Sequence, residues 1–336
     1  MTGKTAQSII VTARFFWIDT RELLYVKNRP TRHSSLKDPC PEIKYSEMKP
    51  PPFSYHDPKT VAEVVGLLST LENAKLLAGG QSLMPMLNFR YVQPDHIIDL
   101  NRVEGLSYIR ETPDGMEVGA MTRQRDLEFS DLVEKRFPLM HEAIQSIGHR
   151  QTRNRGTIGG SLCHLDPSAE LVSCAMTLDA VVVVAGPKGQ RDIKFADFPV
   201  AYLTSAVEPD EVLTAIRFPA WPAGHGHAFV EFARRHGDFA IVSAATMLQV
   251  DGAGKITRAA VTLGGMGTGP VRARELENVL IGHAPDIEFL RQACESCRKF
   301  EALDDVHAPA SYRQHLATVM SRRALQKAYA RATGKA

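Results

Sequence analysis

Lys75-Leu76-Leu77-Ala78-Gly79-Gly80-Gln81-Ser82 runs a short apolar strand straight into a pair of glycines, and Leu83-Met84-Pro85 follows. Further along, Thr157-Ile158-Gly159-Gly160-Ser161 repeats the theme and leads to Asp166-Pro167. Glycine has no Cβ, so the backbone can turn sharply and a ligand can lie against the main chain. Successive exposed N–H groups in such a turn make a concave anion site, and a Ser or Thr hydroxyl adds a donor. One turn of this kind is an ordinary feature of an α/β protein. Two of them point to a ligand carrying a pyrophosphate, held from both sides.

At 336 residues the chain is long enough for two or three domains. Its composition, 44% apolar and 23% charged, is that of a soluble globular protein. A net charge of +2 gives no general reason to bind nucleic acid or an anionic membrane. No apolar stretch reaches the roughly 18–20 residues needed to span a bilayer. Five cysteines with no secretory signal favour reduced thiols in the cytoplasm. Cys294-Glu295-Ser296-Cys297 is a lone C-x-x-C in a stretch that reads as helix, Ile287 to Phe300. Without a second Cys pair or a nearby His pattern it reads as structural rather than as a metal or redox site.

Residues 1–47 mix Phe15-Phe16-Trp17 with scattered basic residues and prolines and keep no period. Met48-Lys49-Pro50 then opens a regular pattern, which makes Met48 the expected natural start and 1–47 an upstream extension. A first lobe, about 48–122, holds a helix starting at Asp57-Pro58 and strands at Lys75–Ala78, His96–Leu100 and Met116–Ala120. A second lobe, about 123–224, is largely helical to Ile147 with an interruption at Pro138. A basic loop, His149–Arg155, then leads into the second glycine turn. Strands at Leu178–Ala185, Ile193–Phe195 and Glu211–Phe218 follow, and Pro219, Pro222 and Gly224 make a linker. A third region, 225–334, reads as a helix at Ala240–Ala245, a hairpin from Thr246 to Leu263, and two closing helices. Hairpins followed by helices indicate a separate α+β domain.

Gly264-Gly265-Met266-Gly267-Thr268-Gly269-Pro270 fails the dinucleotide pattern, because Pro270 stands where the third glycine is required. It also lacks the Lys-Ser/Thr of a P-loop. There is no HExxH, no tight His/Asp/Glu cluster and no G-x-S-x-G elbow. Ligand-cradling turns without a nucleophile or acid–base pair suit a protein whose bound cofactor carries the chemistry.

From Met48 onward the chain resembles the FAD-binding medium subunit of molybdenum hydroxylases, the carbon monoxide dehydrogenase and xanthine dehydrogenase flavin family. The resemblance rests on Met48-Lys-Pro-Pro-Pro-Phe-Ser-Tyr55, Ala78–Pro85, Arg153–Ser161 with Asp166-Pro167, Ala233–Ala240 and Ser311-Tyr312-Arg313. It implies an α+β architecture: a two-lobed FAD-binding domain of the vanillyl-alcohol oxidase type over 48–224, followed over 225–334 by the α+β domain that closes the family's medium chains. It implies that Ala78, Gly79, Gly80, Gln81 and Ser82 bind the FAD pyrophosphate from one lobe and Thr157, Ile158, Gly159, Gly160 and Ser161 from the other. Backbone N–H groups of both glycine pairs would face phosphate. Glu170 matches a position usually held by Asp, which contacts the ribityl or adenosine part of FAD. Leu213 matches a flavin contact. Phe229 matches a place where a Tyr lies against the isoalloxazine.

The resemblance further implies two partners, an iron–sulfur small subunit and a molybdopterin large subunit, in a dimer of heterotrimers. Substrate is hydroxylated in the large subunit, and electrons reach FAD here before passing to NAD, a quinone or oxygen. Two other readings stand beside it: a stand-alone FAD oxidase or dehydrogenase of the same fold, and a flavin-free interaction protein.

Overall fold

Strand and helix alternate from Ser54 to Asp99 because apolar runs are cut by capping residues at short intervals. The computed structural model describes residues 49–335, and the expectation about 1–47 lies outside them. β1 (Ser54–His56), α1 (Val61–Thr70), β2 (Ala74–Leu77), α2 (Leu83–Asn88) and β3 (His96–Asp99) build a parallel sheet in the order β1-β3-β2. The N-cap of α1 is Thr60 rather than Asp57. Its hydroxyl accepts from Glu63 N–H at 3.2 Å while the Glu63 carboxylate reaches back to Thr60 N–H, a capping box.

β4 (Ile109–Thr112) and β5 (Gly115–Gly119) form a hairpin that leaves this sheet and joins the next one. Helices α3 (Gln124–Glu128), α4 (Asp131–Arg136), α5 (Pro138–Ser146), α6 (Arg150–Arg155), α7 (Ile158–His164) and α8 (Glu170–Thr177) follow. Then come β6 (Val181–Gly186), β7 (Gly189–Lys194), the short pair β8 (Pro199–Ala201) and β9 (Thr204–Ser205), and β10 (Val212–Pro219). The second sheet is antiparallel, ordered β4-β5-β10-β6-β7, with Val118 opposite Ile216 and Ile216 opposite Val182. The sheets therefore divide the chain between Asp99 and Ile109, earlier than the lobe change expected near 122.

β11 (Gly226–Phe232), β12 (Val242–Val250), β13 (Ile256–Gly264) and β14 (Val271–Arg272) make a four-stranded antiparallel sheet. α9 (Arg274–Leu280), α10 (Ile287–Cys294) and α11 (Ala310–Ala332) complete the C-terminal domain, with α11 laid on β11 and β12. Its core joins Ala244, Leu248, Val261 and Leu263 of the sheet to Leu316, Met320 and Leu325 of α11. Cys294 and Cys297 are buried there as free thiols.

Three local expectations are corrected. Ala240–Ala245 is not helix: Val242, Ser243, Ala244 and Ala245 belong to β12, paired on both sides and buried on both faces. Alanine is the strongest helix former, but propensity is a weak prior and two strand partners outweigh it. His149–Arg155 is not a loop but contains α6, held by the buried Arg153 guanidinium on Glu128 at 2.8 Å and on Ile147 O at 2.9 Å. The second glycine motif is not a turn but the first turn of α7, with Thr157 as its N-cap.

Candidate functional site

The two glycine motifs touch. β2 ends at Leu77, and the chain turns through Ala78–Ser82 into α2, with Gly80 in the left-handed region at φ +74°. A Cβ on Gly79 would lie 2.3 Å from Arg155 O and 2.8 Å from Gly156 Cα. Backbone meets backbone here, and no side chain fits between. Asn101 Nδ2 donates to Ala78 O at 3.0 Å, and its Oδ1 accepts from Arg123 Nη2 at 2.5 Å. Arg123 also donates to Arg155 O, so Asn101 and Arg123 clamp one motif to the other.

The donors are distributed unevenly. Among the described residues, the N–H groups of Gly79, Gly80, Gln81 and Ser82 have no internal acceptor. The second motif differs from expectation. Ile158 N–H donates to Thr122 O at 3.1 Å, Gly159 N–H to Ala120 O at 2.9 Å, and Gly160 N–H to Thr157 Oγ1 at 3.1 Å. The start of α7 has spent these N–H groups internally, and what it offers a ligand is bare backbone and the Thr157 and Ser161 hydroxyls. Gly159 is required because a Cβ would lie 2.6 Å from Ala120 O.

Between the lobes lies a cleft of about 880 Å³, near the upper end of the range for small-molecule sites. Ala78, Gly79, Gly80, Gln81, Ser82, Thr157, Gly159, Gly160, Ser161, Glu170 and Leu213 line it. Ile158 and Phe229 do not. Ile158 is fully buried in the core. Phe229, 5% exposed, packs into the same core from β11, and its N–H donates to Glu142 at 3.1 Å. The aromatic ring on the cleft is Phe239, 59% exposed, on the β11–β12 loop with Gly237 and Asp238. That loop was visible in the sequence as Ala233–Ala240, but strand alternation alone does not tell which of two phenylalanines faces a cavity. Gln124 was also missed. It is 5% exposed, lines the cleft, and its Oε1 has no partner.

Glu170 opens α8, a helix whose eight residues are all buried. Burial pushes its carboxyl up to about 8, and repulsion from Glu231 and Asp166 adds to this against the pull of its own N–H. Burial likewise holds the Cys163 thiol up at about 12, so the thiol in the cleft is protonated and inert. His164, also on the cleft, has its proton affinity lowered by burial.

Two lobes joined through glycine backbone over a long cleft define a protein built to hold an extended, phosphate-bearing cofactor. The model of the FAD binding domain in molybdopterin dehydrogenase matches residues 51–221, and that of the CO dehydrogenase flavoprotein C-terminal domain matches 227–328. The chain is 39% identical to the 6-hydroxypseudooxynicotine dehydrogenase complex subunit alpha of Paenarthrobacter nicotinovorans, over 85% of this chain and 97% of that one. It is 38% identical to the carbon monoxide dehydrogenase medium chain of Afipia carboxidovorans, over 85% and 99% of the two chains. Among solved structures, carbon monoxide dehydrogenase from Hydrogenophaga pseudoflava superposes with a TM-score of 0.82 at 38% identity, covering 84% of this chain and 99% of that one. The chain belongs to the family of FAD-binding subunits of molybdenum hydroxylases. It is a component of an oxidoreductase, and FAD is its cofactor.

The residues present fit that cofactor. The N–H groups of Gly79–Ser82 line the cleft without internal acceptors among the described residues, and the orphaned Gln124 Oε1 is an acceptor for a hydroxyl or amine. No helix among the described residues is long and apolar enough to cross a membrane.

Proposed function

We propose that this chain is the electron-transfer subunit of a molybdenum hydroxylase, taking electrons from iron–sulfur clusters in a separate small subunit and passing them to an external acceptor. Hydroxylation takes place on a molybdopterin large subunit, and the three chains assemble in the cytoplasm as a dimer of heterotrimers. Bound flavin supplies the exchange between single electrons and an electron pair. Gly79, Gly80, Gln81 and Ser82 hold the pyrophosphate by main-chain N–H groups, with the Thr157 and Ser161 hydroxyls opposite. Leu213 and Phe239 offer apolar surface to the ring system.

One observation carries the reading. The cleft is a binding cradle: the main-chain N–H groups of Gly79–Ser82 line it without internal acceptors among the described residues, and its thiol is held protonated by burial. The relatives, by name medium chains and subunits of dehydrogenases, support the same conclusion.

The test is purification from the native host under mild conditions. The expected result is co-purification with one iron–sulfur chain and one molybdenum chain, and substrate-dependent bleaching of flavin absorbance in the complex alone. A solitary chain whose flavin is reduced directly by a small organic substrate would overturn the proposal in favour of a stand-alone dehydrogenase.

A further inference from the structure

Glu170 is the most buried ionisable group on the cleft, 4% exposed, and among the described residues it has no cationic partner. Its carboxyl receives one hydrogen bond there, from its own main-chain N–H. The groups around it are acidic or already neutralised. Asp166 stands on the α7–α8 connection and His164 on α7, and burial disfavours the charged imidazolium. Across the C-terminal sheet, Glu231 of β11, Ser243 of β12 and Gly264 of β13 form one row facing α8. Glu231 Oε2 and the hydroxyls of Ser243 and Ser173 have no partners among the described residues. A Cβ on Gly264 would lie within 2.6 Å of both serine oxygens, so that row is tightly closed. Glu142 on α5 is neutralised by Lys327 and Arg331. The other acids on the cleft, Glu211 and Asp238, are paired with Arg191 and Arg235, and Glu208 donates its N–H to Glu211 at 2.9 Å. The only lysine on the cleft among the described residues, Lys75, is exposed on β2.

A carboxylate in this setting has lost its hydration and gained no counter-charge, so the neutral acid is favoured. A pyrophosphate entering the same cleft adds negative charge and favours it further. We propose that FAD binds this chain with Glu170 as a neutral acid that donates its O–H to the cofactor, so that binding in alkaline solution takes up a proton. The proposal rests on the FAD reading above.

The sign follows from linkage. Free Glu170 loses its proton near 8, and the bound form holds it to higher pH. Affinity is therefore complete below that range and falls about tenfold per pH unit above it until the bound carboxyl ionises. Two measurements on the full chain test this. FAD affinity is followed by quenching of flavin fluorescence from about pH 6 to about pH 9.5, and proton uptake by titration calorimetry in two buffers of different ionisation enthalpy. Wild type should lose affinity in the alkaline range and take up close to one proton there. Glu170→Gln, an uncharged donor of the same shape, should lose the pH dependence. Glu231→Gln, which removes a repelling charge, should move the fall to lower pH. Wild-type binding without proton uptake overturns the proposal, and so does a Glu170→Gln chain that keeps the wild-type pH profile. Those results leave the FAD assignment standing, whereas a chain that takes no FAD at any pH removes both.

Discussion

Gly79 and Gly80 are adjacent and are glycine for different reasons. Gly80 holds φ +74°, a left-handed conformation that costs a side chain about 1 kcal/mol or more. Gly79 instead lies against Arg155 O across the inter-lobe contact. Even one methyl group there must push the motifs apart. Gly79→Ala is therefore expected to lower the melting temperature of the flavin-free chain and to lose FAD, whereas Ser82→Ala should keep its melting temperature and only bind FAD more weakly. Differential scanning fluorimetry on both variants, before and after adding FAD, checks this. A Gly79→Ala chain that melts with wild type would show that the contact is loose. The glycine pair was legible in the sequence as a turn. The reason for Gly79 was not, because it depends on a main-chain atom in another lobe. Phe229 illustrates the same gap: a Tyr-like position was readable, but β11 turns that ring into the core and leaves Phe239 on the cleft.

Elements were most legible where the local signal and the fold agree. β2, β3, β5, β10, β13 and α11 lie within a few residues of their expected places. The sequence misled where tertiary partners overrode propensity, as in β12, and where a short helix carried no long apolar stripe, as in α6 and α7. In α7 the missed helix changes the chemistry, because Thr157 caps Gly160 N–H and leaves that donor unavailable to phosphate. Thr157→Ala should cost about 1 kcal/mol of stability by urea unfolding, and Thr157→Ser should restore it. Equal stability of all three chains would mean that the cap contributes nothing and that Gly160 N–H is free after all. α8 was hidden for another reason: all eight of its residues are buried, and its polar residues Glu170, Ser173 and Thr177, at helical spacing, face protein instead of water.

The largest core ignores the boundary between the two matched family regions. Phe229, Ala245, Met247 and Ala260 of the C-terminal sheet pack with Leu139, Ile144, Leu171 and Ala175 of α5 and α8. Polar contacts follow the same seam: Glu142 of α5 takes Lys327 and Arg331 of α11, and Arg272 of β14 reaches Met176 O at 2.7 Å and Asp179 at 2.9 Å. Without the C-terminal sheet, α8 would expose residues that are all buried in the full chain. Inter-domain contacts within a chain are commonly polar and permit independent motion, but this one is continuous core. The two regions should therefore unfold in a single cooperative transition. Trp221 is placed to report it, at 6% exposure with the Arg258 guanidinium of β13 centred 3.9 Å over its ring. With Trp17 replaced by Phe, the Trp221 emission shift and the loss of far-ultraviolet circular dichroism should share one urea midpoint. If Trp221 becomes solvated at a lower urea concentration than that at which the helices melt, the seam opens first and the C-terminal domain is a separable unit. A shared midpoint, with an insoluble chain ending at residue 221, would mean that the FAD cleft gets its rigidity from a sheet that contributes only its β11–β12 loop to the cleft lining.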